Sequence, residues 1–484
     1  MYLGIDLGTS GVKALLIDAN QKAVASGHAV LDVSRPHSGW SEQDPAQWIR
    51  AVEEAVGALK VSHGAELAAV KGIGLSGHMH GATLVDSSDK VLRPCILWND
   101  TRSYVEAAAL DADPRFRKIT GNIVFPGFTA PKLVWVAKHE PDVFKRVAKV
   151  LLPKDYLRLW LSGEHISEMS DSAGTSWLDV AERRWSEDLL DATELSESQM
   201  PSLVEGTERG GTLRADLAAS WGMKPGVVIA GGAGDNAASA AGMGTVFPGQ
   251  AFVSIGTSGV LFAANGAYLP NAESAVHTFC HALPNAWHQM GVILSVSDSL
   301  TWLSGITGKK PEELTAELGD KLKAPGGVTF LPYLSGERTP YNDAAIRGVF
   351  TGLAHQSDRA ALTQAVLEGV SFAFRDSLEA LHKAGTELAH VTAIGGGSRS
   401  RYWLKSVATA LNLPVDVPAD GDFGAAFGAA RLGLIAAENA DPATVLTPPR
   451  TAETIEPVGE LSAAYHDAYQ RYVALYPAIK GADQ

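Results

Sequence analysis

Residues 5–12 read Ile-Asp-Leu-Gly-Thr-Ser-Gly-Val, and residues 253–260 read Val-Ser-Ile-Gly-Thr-Ser-Gly-Val. Each stretch is an apolar strand, a Gly-Thr-Ser-Gly turn and a second apolar strand. Glycine suits such a turn because it accepts the backbone angles that tight hairpins need. The two copies lie about half the chain apart, and each opens a region of domain size. That favours a duplicated domain over two unrelated Gly-rich hairpins.

Working outward from the first copy, Tyr2–Leu7, Val12–Ile17 and Lys22–Leu31 read as a three-stranded meander. Pro45–Lys60 has Trp48, Val52, Val56 and Leu59 at helical spacing. Val70–Leu75 is the next strand, ending at Ser76-Gly77. Three meander strands followed by helix and strand open an actin-like, ribonuclease-H-like α/β unit. Around the second copy, strands are expected at Trp287–Leu294, Val391–Ile394 and Pro414–Val417. Helices are expected at Asp358–Ala384, Ser400–Leu411 and Phe423–Ala437. The expected architecture is therefore two duplicated actin-like domains with a cleft between them, 1–244 and 245–484, divided near Ala241–Pro248.

The chain has 484 residues, too many for one core, which agrees with two domains. Its net charge of −14 argues against a general nucleic-acid binder, because neutralising phosphates needs clustered cations. Two cysteines, Cys95 and Cys280, leave no disulfide framework and no cysteine zinc site. The N-terminus lacks the basic and apolar pattern of a signal peptide, and no apolar run reaches membrane-spanning length. A cytoplasmic enzyme without nucleic-acid or membrane partners is expected, and a homodimer stays open.

The motifs suit phosphoryl transfer to a hydroxyl, which needs a phosphate cradle, a divalent metal and a base. Gly8, Thr9 and Ser10 form one candidate cradle; Gly256, Thr257 and Ser258 form the other. Lys13 can neutralise phosphate charge, and Asp6 can hold Mg²⁺ directly or through water. Gly231-Gly232-Ala233-Gly234-Asp235-Asn236 follows a strand at Val227–Ala230 and offers one carboxylate. Asp235 is either a general base for the acceptor hydroxyl or the cap of a helix beginning at Asn236. Gly395-Gly396-Gly397, between strand and helix, suits a nucleotide lying on bare backbone. A Rossmann turn would need a third glycine at a spacing that the run to Arg401 lacks. His78 and His80 alternate, so on an extended segment they share a face and can take sugar hydroxyls or a metal. Trp40, Trp48, Trp98 and Trp135 can stack on a sugar or pack in the core.

These residues together resemble the FGGY carbohydrate kinase family along essentially the whole chain. Gly127-Phe128-Thr129-Ala130-Pro131-Lys132-Leu133-Val134-Trp135-Val136-Ala137-Lys138-His139 fits its first signature. Gly348–Leu353, Leu362 and Ala365–Glu368 fit the second, with Ala361 where a polar residue is usual. Ser41–Pro45, Leu97–Asp100, Pro153–Tyr156 and Phe330–Arg338 look like its ketopentose-phosphorylating branch, whose members often carry Gln where His78 stands. The resemblance implies ATP-dependent phosphorylation of a ketopentose, D-xylulose first, at its 5-hydroxyl, with Asp235 as base. It implies sugar contacts from Met79, His80, Asp235 and Asn236, adenine and ribose contacts at Gly396, Gly397 and Ser398, and Mg²⁺ near Asp6. Two rivals remain: a family member acting on ribulose, glycerol or a sugar acid, and an actin- or Hsp70-like ATPase that moves a protein.

Overall fold

A computed structural model describes residues 1–419 and 424–482. The first sheet is built on β1 (Tyr2–Leu7), β2 (Gly11–Ile17) and β3 (Ala23–Val30). Helix α1 (Pro45–Ser62) leads to β4 (Gly72–Gly77) and, much later, β5 (Val228–Ala230). β3, β2 and β1 run antiparallel, and β4 and β5 then join β1 in parallel. α1 starts sharply because Asp44 accepts a bond from the Ala46 amide and Pro45 sits in the first turn. Its Trp48, Val52, Val56 and Leu59 are buried, as their spacing predicts.

Helix α2 (Asp235–Met243) closes the first half, and a second sheet repeats the pattern. Its strands are β6 (Ala251–Ile255), β7 (Gly259–Asn265), β8 (Trp287–Ile293), β9 (Val391–Ile394) and β10 (Val415–Pro418). β8, β7 and β6 are antiparallel, then β9 and β10 run parallel to β6. Both sheets thus share the order 3-2-1-4-5, which is the duplication seen as topology. Helix α3 (Ser297–Thr307) follows β8, and α4 (Arg359–Lys383) and α5 (Arg401–Leu411) cover the second sheet. Asp358 caps α4 by accepting from the Ala361 amide at 2.8 Å, so Ala361 needs no polar side chain there.

Helix α6 (Ala425–Glu438) belongs to the second half in sequence but packs on the first sheet. A Cβ at Gly74 would lie 1.7 Å from the Ala429 carbonyl oxygen, and one at Gly4 1.8 Å from that of Ala426. Only glycine permits this approach of strand and helix backbones. α6 also crosses α2, where Gly428 meets the Ala238 carbonyl in the same way. The helix predicted from Phe423 begins at Ala425; Phe423 itself lies outside the described residues. Among the described residues, no helix is long and apolar enough to cross a membrane.

Candidate active site

Strand register assembles the first cluster. Asp6 on β1 pairs with Lys13 on β2 and with Ser76 on β4. Ser76 in turn pairs with Ala233 in the short strand Ala233–Gly234 beside β4. The chain then enters α2, with Gly234 as N-cap and Asp235 as the first helical residue. Asp235 is thus not the cap of a helix starting at Asn236. Its Oδ1 accepts from the Asn236 amide at 2.7 Å and from Asn236 Nδ2 at 2.9 Å. Its Oδ2 takes no hydrogen bond from the described residues, and the side chain keeps some exposure.

Burial, and next the charge of Asp6, push the Asp235 carboxyl up to about 6, against the Asn236 bonds. Burial also raises Asp6, while the Ser76 hydroxyl and the Lys13 charge beside it oppose the rise. Two carboxyls close enough to disfavour each other's charge form a place where a cation is welcome. Among the described residues no three His, Cys, Asp or Glu side chains gather as a metal cage. The carboxyl oxygens of Asp6 and Asp235 are hard donors of the kind Mg²⁺ takes, so the residues present fit that ion.

Met79 and His80 follow β4. The strand ends at Gly77, and His80 takes a left-handed φ of 69°. The two histidines therefore do not share a face, contrary to the extended reading. His78 is buried against Trp48, whereas His80 stacks on Phe128 with ring centroids 4.5 Å apart. His80 Nδ1 lies 2.7 Å from the Gly174 carbonyl oxygen. A carbonyl only accepts, so Nδ1 carries the proton and Nε2 is left as an acceptor. Burial holds the ring at about 3, so it is neutral at any working pH. Met79 packs on Gly234, where a Cβ would come 2.9 Å from its Cγ.

Several supporting residues escaped the sequence reading. Lys132 Nζ donates to the His80 carbonyl at 2.8 Å and to the Gly127 carbonyl at 2.6 Å, and Thr129 adds a bond to the first. The stretch Gly127–Lys132 therefore clamps His80, a role its sequence alone did not reveal. The segment from Met169 to Thr175 supports both sides of the site. Ser170 Oγ accepts from the Gly234 amide at 3.1 Å, and Gly174 supplies the carbonyl beneath His80. That segment is anchored by Lys154, fully buried, 2.8 Å from Asp155, 3.3 Å from Asp171 and 3.5 Å from Glu168.

The two turns differ in their surroundings. Thr9 is engaged: its hydroxyl accepts from Trp98 Nε1 at 2.9 Å and its carbonyl from Gln43 at 2.8 Å. Trp98 is the exposed member of the four tryptophans; Trp48 and Trp135 are buried and Trp40 lies under Arg102. At the second turn, the Gly256 and Thr257 carbonyls accept from amides of Val296, Ser297 and Asp298 at the start of α3. Thr257 and Ser258 are exposed, their hydroxyls without protein partners among the described residues. Gly395, at φ 92°, abuts this turn: a Cβ there would sit 3.1 Å from the Gly256 amide nitrogen. A Cβ at Gly396 would meet nothing within 4 Å, so that side of its backbone faces open space. Ser398 Oγ is spent on the Gly395 carbonyl at 2.7 Å. The structure thus brings Asp6, Lys13, Met79, His80, Asp235 and Asn236 to one region, and Gly256–Ser258 with Gly395–Ser398 to another.

Comparison with known proteins agrees over the whole chain. The model of the N-terminal domain of the FGGY family of carbohydrate kinases matches residues 1–242, and that of the C-terminal domain residues 251–437. The chain is 49% identical to the xylulose kinase of Escherichia coli (strain K12) over 484 residues, 99% of each protein. A solved kinase from Brucella ovis, described as a xyloylose kinase, superposes with TM-score 0.98 at 71% identity over 99% of each chain. The xylulose kinase from Rhodospirillum rubrum superposes with TM-score 0.92 at 30% identity over 99% of each chain.

Proposed function

We propose, because the chain belongs to the FGGY family of carbohydrate kinases, that it transfers the γ-phosphoryl group of ATP to the 5-hydroxyl of D-xylulose. The observation that carries the site assignment is Asp235. It is a carboxyl raised to about 6, with one oxygen unclaimed, beside Met79 and His80. A base with that affinity is ionised at neutral pH and still holds a proton well enough to take one from an alcohol.

In the proposed reaction the sugar lies against Met79 and His80, whose Nε2 accepts from a sugar hydroxyl. Asn236 is the further polar side chain beside the base. ATP rests on the second turn, with its adenosine toward Gly396, Gly397 and Ser398. Amides of Gly8–Ser10 and Gly256–Ser258 and the charge of Lys13 stabilise the transferring phosphoryl group. Asp6 would hold Mg²⁺, which supplies charge neutralisation to the phosphates when bound. The O5–H proton passes to Asp235, the O5–phosphorus bond forms, and the bond from phosphorus to the leaving oxygen breaks to give ADP.

A coupled ADP-release assay across pentuloses, polyols and sugar acids tests the substrate. D-Xylulose is expected to give the highest kcat/KM. A higher value with ribulose, glycerol or a sugar acid would replace the substrate but keep the reaction. Rapid ADP release without any sugar would instead favour a partner-moving ATPase.

A further inference from the structure

We propose that Arg338 reads the carbonyl oxygen of an open-chain ketose and so sets a preference for ketose over polyol, an inference that rests on the ketopentose reading above. Elementary sugar chemistry gives the site its task. A 2-ketopentose closes a five-membered ring only through O5. If O5 is the phosphoryl acceptor it must be a free hydroxyl, so the bound sugar is open and C2 is a carbonyl. A carbonyl oxygen accepts hydrogen bonds and donates none. The site therefore needs a donor that is not already paired.

Arg338 comes from the second half of the chain and meets the first half at the sugar end of the site. Its guanidinium lies 4.0 Å from the centroid of Phe125, and Phe125 packs at 5.5 Å on Phe128, the ring that stacks on His80. Nη1 lies 3.4 Å from His277 Nε2, a marginal contact. Among the described residues no carboxylate lies within ion-pair distance. In the adjacent Glu337, Oε1 accepts from the Arg338 and Leu294 amides at 2.7 and 3.1 Å, while Oε2 is buried without a partner among the described residues. Those bonds fix the backbone and leave the charged head half-buried and unpaired. A ring face compensates a guanidinium only in part, so this cation invites an oxygen ligand. His80 Nε2 is an acceptor and Arg338 is a pure donor, and both border the same aromatic pair. Together they match a hydroxyl beside a carbonyl. A polyol hydroxyl there can also accept from the guanidinium, but it must then send its own proton to another acceptor, a demand that a ketose carbonyl does not make.

The test compares D-xylulose with xylitol, its C2-reduced form, on the full chain. Initial rates and calorimetric binding are measured for the wild type, Arg338→Met and Arg338→Lys. Arg338→Met is expected to lower kcat/KM for D-xylulose about 10- to 100-fold, the worth of a charged hydrogen bond. Xylitol affinity and the KM for ATP should stay within about threefold, and Arg338→Lys should recover part of the loss. Equal losses for both sugars would overturn the inference, as would a D-xylulose loss under about threefold in Arg338→Met. If Arg338→Met does not fold, Arg338→Lys and Arg338→Gln carry the same comparison. A wild type inactive on D-xylulose but active on another substrate refutes the ketopentose reading itself, and is seen before any variant is made.

Discussion

In the first hairpin Leu7 pairs with Val12, whereas in the second Ile255 pairs with Gly259. The same four letters, Gly-Thr-Ser-Gly, therefore close a loop one residue shorter in the second copy. The neighbours differ as well. Position 6 is Asp and its counterpart, 254, is Ser. The hydroxyl of Thr9 is claimed by Trp98, while those of Thr257 and Ser258 stay open. The carbonyls of the second turn are tied to the start of α3, which turns its amides and hydroxyls away from protein partners. Identical turn sequence thus gives two different surfaces, because what surrounds a turn decides which of its polar groups remain available. The first copy retains a carboxylate next to Asp235, and the second offers bare donors.

The largest expected effect comes from the carboxylate side. Asp235→Asn preserves shape and removes the proton acceptor. kcat should fall about 10²- to 10⁴-fold with sugar binding retained, as for loss of a general base. Turnover within a few-fold of wild type would remove the chemistry from the first copy. Next comes the donor side. A Cβ at Gly256 would meet the Ser258 carbonyl at 3.1 Å and one at Gly8 the Gly11 carbonyl at 3.2 Å, so both substitutions to Val should fold with small shifts. Both should weaken ATP binding, and Gly256→Val more, about 10-fold or beyond for a blocked phosphate contact. Calorimetry showing the larger loss at Gly8 would reverse the comparison. His80→Ala should raise the sugar KM about 10-fold, since a buried partner is lost, with ATP affinity unchanged. A change in ATP affinity instead would place His80 on the wrong side of the divide.

How far the sequence carried these assignments depends on the range of the interaction. Strands and helices followed from local pattern: the helix expected at Asp358–Ala384 is α4, one residue shorter at each end, and Val391–Ile394 is β9. Asp6, His80 and Asp235 stand out as candidates because each sits at a strand end or a glycine turn, and Met79 enters through the family resemblance. The one-residue difference between the hairpins was hidden, because register depends on the partner strands and not on the turn letters. The left-handed backbone at His80 was hidden too. It is held by Thr129 and Lys132, 49 and 52 residues away, which no periodicity connects. Ser170 and Gly174 lie in a segment with no motif; only the fold brings it under Gly234 and His80. The packing of α6 on the first sheet could have been suspected from glycines at 4, 72 and 74, yet nothing in the order of the elements specifies that partner.

The smallest expected effect concerns stability, and it tests whether the carboxyl pair of the first copy carries a cost that Ser254 spares the second. Asp235 has its folded pKa raised from 3.8 to about 6. A raised acid binds its proton more tightly in the folded state. The stability this confers is fully present below the unfolded pKa and is lost as pH rises through about 6. Above that, the folded protein holds a charge that burial and Asp6 disfavour. Asp235→Asn removes the charge, so the variant should be more stable than wild type at pH 8, by on the order of 1–3 kcal/mol. That corresponds to a rise in Tm of a few degrees for a unit of this size. The gap should open between about pH 4 and 6 and stay level above about 7. Asp6→Asn should give part of the same gain, and the acid limb of its residual kcat/KM should move below the wild-type limb near pH 6, because one source of the raised Asp235 pKa is gone. Thermal unfolding of the variants across pH 4.5–8 reads all of this. A pH-independent difference, or a destabilised Asp235→Asn at pH 8, would mean that Asp235 is not held against its charge, and that the two copies do not differ in the way the strand register suggests.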